Sequence, residues 1–403
     1  MKPTIWLPRL PEEIQNWWWD TAKEKWPDLG EEKLLNLLRA EIVQLSDRFN
    51  KVRSFTASSY GGRDLSIIAY GNFYFYKTWT IASFAVTEAL SRCKWQAPKK
   101  GPIRILDLGS GSGASGMACI SCIRRLGIEN PVELHALDYS GKSLNYLKDL
   151  FRCSNSIHYN AKIIARRCDL RFETNQNLRS KYDMILLGFS LNEINQDQES
   201  FQCVEWIQEL SDSLKGSGRL VITEPAEVET CRNLQSIMSM VAEQNPNLFL
   251  QAPYFNGKSC PMMLDNSKYF SHEVRRCSPL NMVEKINRSL NLEIREVKFG
   301  LSILGFEKPC VETSTAGFFR IISPIRKRKG TISFLGVGSD GKEYQYELQR
   351  RELNKFEEKK LLLLERGDVL EIAGDWLELS DKQIRIPQNT RINPIYIPRI
   401  ESS

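Results

Sequence analysis

The chain has no run of about eighteen apolar residues, so no membrane span is expected. Its first residues, MKPTIWLPRLPEEI, hold neither an apolar signal core nor a basic, acid-free presequence, which makes the cytoplasm the expected compartment. Paired cysteine spacings are almost absent: of ten cysteines, only Cys119 and Cys122 stand in a C-x-x-C arrangement. They fall inside a predicted helix, where small thiols fill space, and the scattered thiols fit a reducing compartment. Charge of one sign is not in large excess. The formal net charge of +6 and pI ≈ 8.7 permit an RNA or acidic partner without demanding one. Apolar residues make up 42% of the 403, ample for packed cores in two or three domains.

What is present is a strand, a glycine turn and a helix at 103–120, IRILDLGSGSGASGMACI. Glycines accept positive φ and leave no Cβ in the way, so a ligand can lie against the backbone, with the N–H groups of the helix start behind it. The turn does not end in Gly-Lys-Ser/Thr, which excludes a phosphate-binding P-loop. Gly111-Ser-Gly113-Ala-Ser-Gly116 satisfies the dinucleotide pattern G-x-G-x-x-G. Asp107 ahead of Gly109-x-Gly111-x-Gly113 fits a third class better. The D/E-x-G-x-G-x-G turn is that of S-adenosylmethionine (SAM) methyltransferases, which this stretch resembles. Asp107, Gly109, Ser110, Gly111 and Gly113 are therefore expected at the cofactor.

Residues 1–98 read as a helical region. Trp17-Trp18-Trp19 follows a helix start at Pro11-Glu12-Glu13, either as core packing or as a stacking surface. Leu65–Ala89 holds an aromatic run with Tyr70, Tyr74 and Trp79 that either packs on the next domain or lines its cofactor site. Residues 99–310 alternate strand and helix, as in a Rossmann-like α/β methyltransferase sheet with helices on both faces. A second strand ends at Asp138-Tyr139, about twenty-five residues after the glycines, where a carboxylate takes the ribose hydroxyls. The third ends at Asp169-Leu170, where Asp169 either meets an adenine amino group or is a plain loop acid. The fourth, Tyr182–Ser190, brings Phe189 to the ligand side, and Leu292–Lys298 and Leu301–Phe306 read as late strands hinged at Gly300.

Chemistry is set at the fourth strand's end, and the residues there are Phe-Ser-Leu-Asn. The Asn/Asp-Pro-Pro-Tyr/Phe of base-amino methylating enzymes is missing, as is a nucleophilic cysteine after the fourth or fifth strand. Methyl transfer from a sulfonium needs mainly proximity and orientation, so neither absence excludes it. Asn192, Glu193 and Glu224 are the candidate catalytic groups.

In order and spacing, LDLGSGSGASGMA, ALDYS, FSLNEI, ITEPAE, Ala252-Pro253…Cys260-Pro261, Lys298-Phe299 and Arg320-Ile-Ile-Ser-Pro324 resemble the methyltransferase-like family of small-ribosomal-subunit assembly factors. The likeness runs from Leu45 to Asp368. It implies a SAM-dependent fold acting on or binding small-subunit ribosomal RNA. Mitochondrial members look like iron–sulfur proteins with four cysteine ligands. Matching the insert at 250–280 places Tyr254, Cys260 and Lys268 at three of those ligand positions, and the fourth, in the strand after Gly330, falls at Val337; Cys277 is the one other cysteine near in sequence. One thiolate cannot replace four, so no cluster is expected.

Residues 311–403 read as a small β domain. Arg320 and the run Arg326, Lys327, Arg328, Lys329 give it a basic edge able to meet a phosphate backbone, or merely a solvated turn. The leading expectation is thus a SAM-dependent methyltransferase-like protein acting on or binding ribosomal RNA. The alternatives are a SAM-binding assembly factor without chemistry, a small-molecule or peptide methyltransferase, and more distantly a nicotinamide dehydrogenase.

Overall fold

A computed structural model describes residues 4–49, 60–154, 158–171, 180–195, 199–263, 269–290, 292, 294–309, 315–388 and 390–401. Two eight-stranded sheets organise them. Across the first, the order is Ala161–Arg167, Val132–Asp138, Ile103–Leu108, Tyr182–Gly188, Leu214–Pro225, Glu296–Gly305 and Phe249–Ala252. Glu273–Arg276 lies beside Glu296–Phe299, the first part of the sixth of these. The first five run parallel and the last three antiparallel to their neighbours.

The central strands are almost wholly apolar because both faces are covered. Ile103, Ile105, Met184, Leu186 and Val221 pack in one cluster with the helices Asp64–Thr87, Ala114–Arg125 and Gly141–Cys153. Leu106, Leu108, Ile185, Leu187, Leu220 and Ile222 pack in the other, with Ser200–Ser211 and Val228–Gln244. From Ile103–Leu108 the chain order proceeds in both directions. That is the switch point beyond whose carboxyl edge an open α/β sheet leaves a crevice.

Helix Asp64–Thr87 is buried along most of its length. Gly71 makes this possible, since a Cβ there would stand 2.2 Å from the Trp18 ring. Trp18 is fully buried, and Trp17 and Trp19 are partly buried against the same core, so the triplet packs. The expected hinge at Gly300 does not exist. One strand, Glu296–Gly305, runs through it, and a Cβ at Gly300 would lie 3.0 Å from Cys231 Sγ on the covering helix. Of the two expected late strands, the first loses its start, and Glu293 lies outside the described residues. No helix among the described residues is long and apolar enough to cross a membrane.

The second sheet runs Leu377–Ser380, Gln383–Arg385, Glu343–Gln349, Thr331–Gly338, Phe318–Ile321, Val369–Ala373 and Arg391–Tyr396, with Arg326–Lys327 on Thr331–Gly338. It is antiparallel apart from Glu343–Gln349 with Gln383–Arg385. A seam of buried ions joins it to the first sheet. Arg320 Nη1 meets Glu88 Oε1 at 2.6 Å and Arg320 Nη2 meets Glu273 Oε1 at 2.9 Å. Arg275 and Arg399 grip the two oxygens of Asp368 at 2.7 and 2.6 Å. Arg320 is 1% exposed, so it cannot belong to an RNA-facing edge as expected from its sequence neighbours. Arg326, Lys327, Arg328 and Lys329 are all exposed. The segment near the start also closes on the end: Ile5–Leu7 pairs in parallel with Pro398–Ile400.

Candidate cofactor site

The glycine turn is built by three left-handed residues in a row of alternate positions: Gly109 at φ +69, Gly111 at +52 and Gly113 at +91. These φ values cost a side-chain-bearing residue about 1–2 kcal/mol each. The turn is pinned to the neighbouring strand, where Gly109 and Ser110 N–H both donate to Leu137 O at 2.9 and 3.0 Å. Asp138, at the end of that strand, accepts from Gly111 N–H on one oxygen and Ser140 N–H on the other, each at 2.7 Å. Its carboxylate is thereby oriented with further lone pairs left over.

Above the turn lies a cavity of ≈ 410 Å³ at the carboxyl ends of the strands. Gly109, Ser110, Gly111, Asp138, Tyr139, Asp169, Leu170, Phe189, Asn192 and Glu193 line it, so ten of the expected residues come together there. Three others do not reach it. Asp107 points under the turn and accepts from Gly116 N–H at 2.9 Å, which ties strand to helix. Gly113 meets Leu147, whose Cδ1 would stand 2.2 Å from a Cβ, so its role is packing. Glu224 caps the short helix Leu191–Ile194, accepting from Leu191 N–H at 2.9 Å and Asn192 N–H at 3.4 Å. It positions the fourth-strand turn rather than facing a ligand.

Further liners were unpredicted or, as with Tyr70 and Tyr74, left open between packing and lining. Ser112, Ser115 and Ser143 flank the turn, and Pro225, Ala226, Glu227 and Lys298 close the far side. The last four belong to ITEPAE and Lys298-Phe299, segments already prominent in the sequence. From the N-terminal region come Phe49, Tyr70, Tyr74, Lys77 and Thr78. The aromatic run thus does both things considered for it: Phe75 and Trp79 are core, while Tyr70 and Tyr74 stack at 5.8 Å between ring centres on the cavity wall. Lys77 and Thr78, one turn further on, carried no signal of their own. Phe189 sits at φ +61, a conformation a non-glycine residue keeps only where its surroundings impose it.

The site is acidic. Burial pushes the carboxyls of Asp138 up to about 6, Asp107 to about 7 and Glu224 to about 8, and raises Glu193 well above its usual range. Backbone N–H donors pull the first three part of the way back. Asp169 moves the other way, lowered by the Arg171 fork at 2.7 and 2.9 Å against a smaller effect of burial.

The residues present fit a SAM-like nucleoside. Asp138 offers acceptors for sugar hydroxyls, and Gly109 and Gly111 keep the floor bare. The hydroxyls of Ser110 and Ser112 are buried on the wall with no partner among the described residues. A buried polar atom without a partner is costly, and a ligand would satisfy it.

The insert does not fit a four-thiolate cluster. Tyr254, Cys260 and Val337 form one apolar cluster with Met262 and Ile322. The Tyr254 hydroxyl donates to Ser271 Oγ at 3.0 Å. Cys277 belongs to a different core, and Lys268 lies outside the described residues. Among the described residues, no three His, Cys, Asp or Glu side chains are grouped to hold a metal.

The sequence model of the family described as mitochondrial small ribosomal subunit Rsm22 matches residues 66–358. No curated protein matches the chain. Similar solved structures include the mitomycin 7-O-methyltransferase MmcR, at 10% identity and TM-score 0.36, covering 63% of this chain and 61% of that one. The plantazolicin methyltransferase BpumL in complex with SAH shares 14% identity over 68% of this chain and 99% of its own, with TM-score 0.31. An O-methyltransferase family protein from Burkholderia thailandensis shares 12% over 69% and 73%, with TM-score 0.37.

Proposed function

From a chain that belongs to the mitochondrial small ribosomal subunit Rsm22 family, we propose a SAM-binding protein that methylates RNA of the small ribosomal subunit. The observation that carries the reading is the cradle itself: a bare glycine floor, an oriented Asp138 and two partnerless serine hydroxyls on one cavity wall. When bound, the cofactor supplies a methyl group on a positively charged sulfur. Asp138 holds the sugar, and the backbone of 109–112 seats the chain beside it. Tyr70 and Tyr74 offer flat faces on which a base can stack. Glu193, on the cavity wall, would take the proton that an acceptor N–H or O–H gives up on methylation. Glu224 keeps Asn192 and Glu193 in place through its two N–H contacts.

The proposed RNA contact is the exposed run Arg326, Lys327, Arg328, Lys329, with Arg320 excluded by its burial. Lys327 is tied to Glu358 at 2.5 Å, so the other three are the freer contacts. Purified protein incubated with methyl-labelled SAM and small-subunit particles is expected to label the RNA. Replacing Arg326, Arg328 and Lys329 with alanine is expected to weaken RNA binding and flatten its salt dependence by about 0.7–0.9 per lost phosphate contact. Label in protein or metabolite instead supports the small-molecule or peptide reading. SAM binding with no label anywhere supports the assembly factor without chemistry, for which the departure of Glu224 from the cavity is the favouring observation.

We also propose that the insert is held by its apolar packing, hydrogen bonds and buried ion pairs, with no iron–sulfur cluster. Purified protein is expected to lack iron and broad visible absorption. Stoichiometric iron with acid-labile sulfide contradicts this.

A further inference from the structure

The carboxyls at the cavity differ in what compensates them. Asp138 takes two backbone N–H groups, Asp169 is forked by Arg171, and Glu224 behind the wall takes two more N–H groups. Glu193 has neither a hydrogen bond nor an ion pair among the described residues. The other charges that face it among the described residues are these. Glu224 and Asp138 repel its negative charge, Arg171 attracts it weakly while engaged with Asp169, and Tyr70 approaches from the N-terminal helix. The cavity's lysines are placed elsewhere: Lys298 pairs with Glu296 at 2.9 Å, and the Lys77 ammonium lies 5.7 Å from the Tyr74 ring centre. Asp169 and Glu227, also on the wall, add only negative charge.

We infer that Glu193 is the counter-ion for a cationic ligand, and that it makes the site choose the sulfonium of SAM over its neutral thioether product, S-adenosylhomocysteine. The inference rests on the reading that the cavity binds SAM. A carboxyl with no partner in a wall of this kind keeps a proton. A cation placed beside it replaces that proton, so cofactor binding releases H⁺ and tightens as pH rises. The product shares the adenosine, the amino group and the carboxylate but not the positive sulfur. It gains nothing from ionising Glu193, so it binds without proton release and leaves more readily. The same ionisation leaves Glu193 a carboxylate, as its role with the acceptor requires.

The test is calorimetry of the full chain with SAM and with S-adenosylhomocysteine, each in phosphate and in Tris at pH 7, 7.5 and 8, above the value near 6 where Asp138, which meets the sugar of both ligands, would add the same dependence to each. Two buffers of different ionisation heat separate proton release from binding heat. SAM is expected to release a fraction of a proton approaching one, and to tighten several-fold across the series, while the product's affinity stays nearly flat. Glu193→Gln is expected to abolish the release and to lower the preference for SAM by about tenfold or more, the effect of removing one close charge pair. Its affinity for the product stays within about twofold, since no charge pair is involved there. Glu193→Asp is expected to keep part of both. Equal pH dependence for the two ligands, or an unchanged preference in Glu193→Gln, overturns the inference while leaving the SAM site standing. No binding of either ligand by the unaltered protein overturns the cofactor reading and the inference together.

Discussion

Arg320→Ala is expected to destabilise the protein by about 3–5 kcal/mol, because each of two buried carboxylates, Glu88 and Glu273, loses one of the two guanidiniums it meets. The guanidinium lies between Glu88, just past the helix Asp64–Thr87, and Glu273, on the strand beside Glu296–Phe299. All three side chains are almost wholly inaccessible to water. Burial alone would raise the Glu88 carboxyl, yet Arg320 and Arg92 together hold it down at about 2. A carboxyl depressed in this way contributes stability that is present above its unfolded value near 4.5 and is lost as pH falls toward 2. In Arg320→Ala the part of that contribution due to Arg320 is lost while Arg92 stays on Glu88 at 2.6 Å, so the deficit is largest at neutral pH and shrinks in acid. Thermal unfolding of the 403-residue chain is expected to shift down by about 4–6 °C. Arg326→Ala, on the exposed turn, is expected to change stability by no more than about 0.5 kcal/mol. An Arg320→Ala protein as stable as the original would mean that the two sheets are joined by something other than these ions.

Gly111→Val is expected to remove detectable SAM binding while leaving the fold largely intact. A Cβ at Gly111 meets no protein atom within 4 Å, so packing does not forbid it. The cost to the backbone at φ +52 is about 1–2 kcal/mol. What suffers is the N–H that orients Asp138 and the bare surface the ligand lies on. Gly109→Val differs in an informative way. Its Cβ would stand 2.5 Å from Ser190 Cβ, so it disturbs the fourth-strand turn and lowers stability as well as affinity. Thermal shift with and without SAM separates the two: a modest drop and no ligand response for Gly111→Val, a larger drop for Gly109→Val. Original affinity in Gly111→Val rejects the placement of the ligand.

What the sequence made legible was local. An apolar strand that stops in Asp107-Leu-Gly or in Leu-Asp138 announces the element and where it ends, because buried parallel strands leave polar residues only at their tips; that Asp138 reaches the cavity while Asp107 turns under the loop was not legible. The family's segments at 224–227 and 298 were visible too, though their meeting on one wall was not. Contacts between distant stretches were hidden. Arg320 stands six residues before a basic run, and nothing nearby in sequence shows that its partners are Glu88 and Glu273. Glu193 and Glu224 read as equals in composition, and only the turn geometry separates the one on the wall from the one behind it. Gly300 looked like a break because glycine often is; here it admits a neighbouring helix. Lys77 and Thr78 share the face of Tyr70 and Tyr74, but a helix buried on nearly all sides offers no periodicity to mark which face meets a cavity.

The most direct test of the central claim is the structure of the complex with S-adenosylhomocysteine. The account predicts both ribose hydroxyls within hydrogen-bond distance of the Asp138 carboxylate, with the nucleoside over 109–112 and the Ser110 and Ser112 hydroxyls turned to it. A nucleoside bound elsewhere, with Asp138 untouched, contradicts it.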